Sequence, residues 1–84
     1  MAYCLITFRS ITPAQRAENV LHRRGVGCYI QRTPRWMEEL GCGYSLRLRR
    51  NSTGQALEIL KQNGVSYRKV YLQREDGMFE ELAL

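Results

Sequence analysis

Two stretches of this chain share one grammar, and no other feature restricts its fold so tightly. Thr12, Gln15, Glu18 and the pair Gly25-Val26 recur in the same order as Ser52, Gln55, Glu58 and Gly64-Val65. In each, a hydroxyl residue that can cap a helix stands three residues before a glutamine, the spacing of a capping box. In each, a glycine then stops the helix, because glycine takes a left-handed backbone without steric cost. A β-forming run precedes each unit, Tyr3 to Phe8 and Tyr44 to Arg49, and another follows, Val26 to Gln31 and about Tyr67 to Gln73. The chain therefore reads strand, helix, strand, twice over. Right-handed crossovers put the first and third strands in the middle of a sheet. The expected class is α+β: a ferredoxin-like βαββαβ sandwich, with a four-stranded antiparallel sheet and both helices on one face.

Periodicity assigns the faces. In the first helix Ala14, Ala17, Val20 and Leu21 form a narrow apolar stripe, with Pro13 at the first helical position after a Thr12 cap. Ala56, Leu57, Ile59 and Leu60 do the same in the second. Tyr44, Leu46 and Leu48 alternate with Ser45, Arg47 and Arg49, and Cys28 and Ile30 alternate with Tyr29 and Gln31. The face away from the helices should then hold Tyr3, Leu5, Thr7, Tyr29, Gln31, Ser45, Arg47, Arg49, Tyr67, Lys69 and Tyr71. Asp76-Gly77 is a hairpin signal, so Met78 to Leu82 is expected to return as a short extra strand or to pack as a tail. The domain is placed at residues 1–74, with 75–84 as that hairpin strand or tail.

With 84 residues the chain suits one domain with a modest core. No apolar run reaches the roughly 20 residues of a membrane-spanning helix, and no leader-like segment precedes the first strand. A soluble cytoplasmic protein is the expectation. Cys4, Cys28 and Cys42 are widely spaced and the sole histidine is His22, so neither a disulfide framework nor a metal site is suggested. No cofactor is expected. Net charge is +5, unevenly placed: residues 1–50 carry nine basic against three acidic side chains, residues 51–84 four against five.

Regular patterning breaks between Thr33 and Tyr44. Pro34 ends the preceding strand, and Gly41-Cys42-Gly43 puts a thiol between two residues without side chains. The amides of such a turn can converge on an anion, and Arg35 and Arg32 lie close in sequence. The same triplet also suits a plain tight turn with a small buried thiol. Glu38 and Glu39 would oppose thiolate formation.

The uncovered sheet face invites an RNA-binding reading. Its phase disagrees, however, since Tyr44 falls on the apolar side and turning it outward would bury Arg47 and Arg49. Nucleic acid is therefore not the expected partner, and self-association, or cover by the tail, is the more ordinary use of such a face. A homodimer through it is expected ahead of RNA binding.

Tyr3-x-Leu5-Ile6-Thr7-Phe8, Ala17-Glu18, Gly25-Val26, Thr33-Pro34-Arg35, Cys42-Gly43, Leu46-Arg47, Leu60 and Gly64-Val65 together resemble the selenium/sulfur carrier protein-like family of small bacterial domains. The resemblance spans about residues 3 to 72. It implies a carrier in which Cys42 holds a persulfide sulfur or a selenium atom, supported by Gly41, Gly43, Arg35, Pro34 and Arg32. The implied partners are a cysteine desulfurase-type donor and a selenium- or sulfur-accepting enzyme. No acid–base or nucleophile–base pair is readable, so the chain reads as a carrier rather than an enzyme. The alternative is a non-catalytic, dimeric module that binds a small ligand or a protein, with RNA binding through the sheet as a third reading.

Overall fold

β1 (Tyr3–Phe8) runs through the middle of the sheet in the computed structural model, which describes residues 2–33 and 43–82. It pairs antiparallel with β3 (Tyr44–Arg49) on one side and β4 (Val70–Gln73) on the other. β2 (Cys28–Arg32) adds outside β3 and β5 (Phe79–Glu81) outside β4, giving the order β2-β3-β1-β4-β5. The expected frame is present, with β1 and β3 inside. The sheet has five strands rather than four, because the residues after Asp76-Gly77 do return as a strand.

α1 (Ile11–Arg23) and α2 (Thr53–Gln62) cover one face. Ala14, Ala17 and Leu21 of α1 and Ala56, Ile59 and Leu60 of α2 form one core with Cys4, Ile6, Phe8, Leu46, Leu48 and Val70 of the strands. Small alanines on the buried stripes leave room for larger strand residues such as Phe8, which is 1% exposed.

The two helices end identically. Gly25, at φ +79°, donates its N–H to the His22 carbonyl (3.1 Å), and Val26 donates to Leu21 (2.9 Å). Gly64, at φ +66°, donates to Lys61 (3.2 Å), and Val65 to Leu60 (2.9 Å). Both are Schellman motifs, and the two valines, buried beside the leucines they bond, seal the ends.

The helix starts differ from expectation. α1 begins at Ile11 behind an extended Ser10, with no side-chain cap, so Thr12 and Pro13 lie inside its first turn. Proline is tolerated there because first-turn amides have no intrahelical acceptor. Before α2, Arg50–Ser52 forms a 3-10 turn, and Thr53 Oγ1 donates to the Arg50 carbonyl (2.7 Å), while Ser52 makes no cap. Neither expected capping box forms.

β4 also begins later than expected, and Tyr67 packs against the helix-side core. Arg68 N–H donates to Thr7 O (2.8 Å) while Thr7 N–H donates to Lys69 O (2.8 Å), so two residues stand opposite one. Thr7 Oγ1 takes the Lys69 amide at 3.0 Å. This bulge shifts the side-chain phase by one residue and turns Tyr67 away from the face to which strict alternation assigned it.

β5 is anchored through a turn over Glu75-Asp76-Gly77. Asp76 Oδ1 accepts the Met78 amide (2.9 Å), Gly77 has φ +86°, and Arg74 pairs with Asp76 (2.6 Å). Phe79 then packs with Leu5 and Tyr71, a small second cluster on the face away from the helices.

Candidate functional site

Thr33 N–H donates to the Gly43 carbonyl at 3.1 Å. The bond continues the β2–β3 ladder one step past Arg32↔Tyr44 and closes a neck between the two strands. Of the residues singled out by sequence, Gly43 and Arg32 stand at this neck. Gly43 is buried, and exposed Arg32 lays its guanidinium carbon 5.5 Å from the centroid of the Tyr44 ring. Pro34, Arg35, Gly41 and Cys42 lie outside the described residues.

Around the neck the sheet is polar where strand alternation would permit apolar residues. Thr7, Ser45 and Gln31 are cross-strand partners in one row. Ser45 is fully buried, and its Oγ has no hydrogen-bond partner; the same holds for the buried Thr33 Oγ1. Buried polar atoms are normally paired, so two orphans beside one loop neck single out this end of the sheet. Past the end of β1, Arg9, Pro13, Ser66, Tyr67 and Arg68 line a hollow of about 140 Å³. Sequence alone does not pick out Thr33, Ser45 and Arg9 as site residues. Ser45 and Thr7 are visible there only as members of one face, and their adjacency depends on the register.

The other two thiols are packing groups. Cys4 is 0% exposed in the core, and Cys28 packs against that core from the edge strand. Burial pushes the Cys4 thiol up from its ordinary value, only partly offset by a hydrogen bond with Thr53. Burial, helped by the negative charge of Glu18, pushes Cys28 up to about 11. Both are protonated at neutral pH, and a protonated thiol is a poor nucleophile. His22 is exposed and donates from Nε2 to the Cys28 carbonyl at 2.8 Å, a structural contact at the end of α1.

Basic charge gathers over β2 and β3. No acidic residue occurs in β1, β2 or β3, whereas Arg32, Arg47 and Arg49 do. At the far end of β3, Ala2, Arg49, Arg50 and Asn51 line an open hollow of about 530 Å³. Among the described residues, no cluster of three or more His, Cys, Asp or Glu side chains could hold a metal ion. No helix among them is long and apolar enough to cross a membrane.

Comparison with known proteins finds no match among curated proteins and none among solved structures. One family model does match, over residues 3–72, from the first residue of β1 to the third of β4. It contains both helices, the neck at Thr33 and Gly43, and Cys42, and stops before the last residue of β4, so that the turn and β5 lie beyond it. The chain belongs to the family described as putative Se/S carrier protein-like.

Proposed function

We propose that the protein carries sulfur or selenium on Cys42 between a donor and an acceptor enzyme. The observation that carries this reading is the state of the other two thiols. Cys4 and Cys28 are packed against the core and held protonated, so within a carrier family the cargo falls to the third. Cys42 directly precedes Gly43, which is bonded at the neck, and the basic side chains of Arg32 and Arg9 lie at this end of the sheet. Nearby guanidinium groups favour a thiolate and a persulfide anion over their protonated forms.

The chemistry balances without a redox co-reactant. The Cys42 thiolate attacks the outer sulfur of a persulfide on the donor, a desulfurase-type enzyme. A new S–S bond forms, the donor's S–S bond breaks, and the donor cysteine leaves as a thiolate. The outer atom then passes in the same way to a nucleophile on the acceptor. The protein supplies position and charge and turns over no substrate of its own. Reduced thiols fit a reducing compartment such as the cytoplasm.

The test is alkylation of the three thiols followed across pH by mass spectrometry. Cys42 should react fastest, with an apparent pKa below the free-thiol value of about 8.5. Incubation with a cysteine desulfurase and cysteine should then add one sulfur to the chain and none to Cys42→Ser. Equally slow alkylation at all three positions, with no mass gain, would leave the non-catalytic binding module as the reading.

A further inference from the structure

The sheet face away from the helices divides into two unlike halves. On the β4 side its apolar residues are already occupied: Leu5 and Tyr71 are 2% and 8% exposed, and Phe79 of β5 packs with them. On the β2–β3 side Tyr29 is 52% exposed on an edge strand, directly across from Arg47 in the register. Exposed Arg49 stands two residues further along β3, opposite Tyr3.

Arg47 is already set in one pose. Its guanidinium carbon lies 4.1 Å from the centroid of the Tyr3 ring, and its buried Nε has no hydrogen-bond partner. Stacking occupies the flat face of a guanidinium but leaves its edge of N–H donors for a carboxylate. The acids of the sheet stand elsewhere. Glu80 and Glu81 are both on β5, where they pair with Arg74 and Lys69.

We propose that the β2–β3 half of this face, centred on Arg47 and Arg49, docks an acidic segment of a partner protein. Complementary charge argues for that occupant. A second copy fits less well, because a two-fold contact would set arginines against arginines and the apolar half is taken by Phe79. Single-stranded RNA also fits less well. Its bases stack on open aromatic faces, and Arg47 already lies over one face of Tyr3, which leaves Tyr29 on the edge. The docking surface holds whether or not Cys42 carries a chalcogen.

The test uses the full chain with Cys42→Ser, so that sulfur loading plays no part. Fluorescein-labelled decaglutamate and a labelled ten-nucleotide uridine RNA are each titrated with the protein, and anisotropy is read at low and moderate salt. Decaglutamate should bind, less tightly as salt rises. Arg47→Gln and Arg49→Gln should each weaken it at least about threefold. Arg23→Gln, an equal charge loss on exposed helix surface, should leave it nearly unchanged. Thermal melts identify any variant that fails to fold, and Arg49, being exposed, serves if Arg47 does not. No binding, or an equal loss with Arg23→Gln, would overturn the proposal. So would tighter binding of the RNA, or a dimer in sedimentation that the Arg49 variant dissociates.

Discussion

The Arg47 guanidinium carbon sits 4.1 Å from the centroid of the Tyr3 ring, linking the central strand β1 to its neighbour β3 on the side away from the helices. The two residues are diagonal neighbours, since Tyr3 stands opposite Arg49 and Leu5 opposite Arg47. A long side chain reaches such a diagonal position on a sheet.

Partial burial should make this contact measurable. A double-mutant cycle of Tyr3→Leu and Arg47→Met, read by urea unfolding, is expected to give a coupling of about 1 kcal/mol. The single Arg47→Lys variant should lose part of it, because an ammonium cannot stack as a plane. A coupling near zero would make the stack a consequence of strand geometry alone.

The two Schellman ends give a second prediction. A Cβ at Gly25 or Gly64 would meet nothing within 4 Å, so alanine there costs only its backbone conformation. Gly25→Ala and Gly64→Ala should each destabilise by about 1 kcal/mol. Gly27 has the same open space without a positive φ. Gly27→Ala should be neutral or slightly stabilising in the same thermal melts.

These ends also show which signals in a sequence decide structure locally. Gly25-Val26 and Gly64-Val65 mark both helix ends because each pair is complete in itself, a left-handed turn followed by a buried seal. Strand alternation in Tyr44–Arg49 is equally legible, since its period admits only one face to the core. The helix starts are not. Thr12 and Ser52 have the right neighbours for caps, yet Ser10 precedes α1 and a 3-10 turn absorbs Ser52, choices fixed by how the chain leaves β1 and β3. Alternation misplaces Tyr67 because a bulge opposite Thr7 depends on cross-strand bonding between residues 62 apart. At the candidate site, Arg32 and Gly43 are found through the loop they flank. The orphaned hydroxyls of Thr33 and Ser45 stand out only once their burial is known.

Cys28 predicts an alkaline limit to stability. Its thiol is pushed from 9.0 to about 11 in the fold, chiefly by burial, so between those values the folded chain holds a proton that the unfolded chain releases. Stability is then complete below about 9 and falls as pH rises towards 11. Cys28→Ala removes that component. The difference in urea midpoint between the parent and this variant should therefore change with pH only in this alkaline window. A constant difference would mean that the thiol ionises in the fold as freely as in the unfolded chain.

Asp76 predicts the opposite limit for one part of the sheet. Its carboxyl is held below the usual range, first by the hydrogen bond with Arg74 and then by the Met78 amide. A carboxylate whose folded value is depressed contributes stability above its ordinary value of about 3.9 and loses it as pH falls through the lowered one. The contribution is local, because the Arg74–Asp76 pair lies at the turn while β5 joins only β4. Acid should therefore release β5 before the core unfolds. Amide exchange followed by NMR should show Leu82 N–H, bonded to Val70 O at 2.7 Å, losing protection first, while Val65 N–H, bonded to Leu60 O at 2.9 Å, stays protected. Asp76→Ala, lacking both the charge and the acceptor for Met78, should show early exchange at Leu82 even at neutral pH. If Leu82 and Val65 instead lose protection together in acid, β5 is cooperative with the core, and the turn is not what holds it.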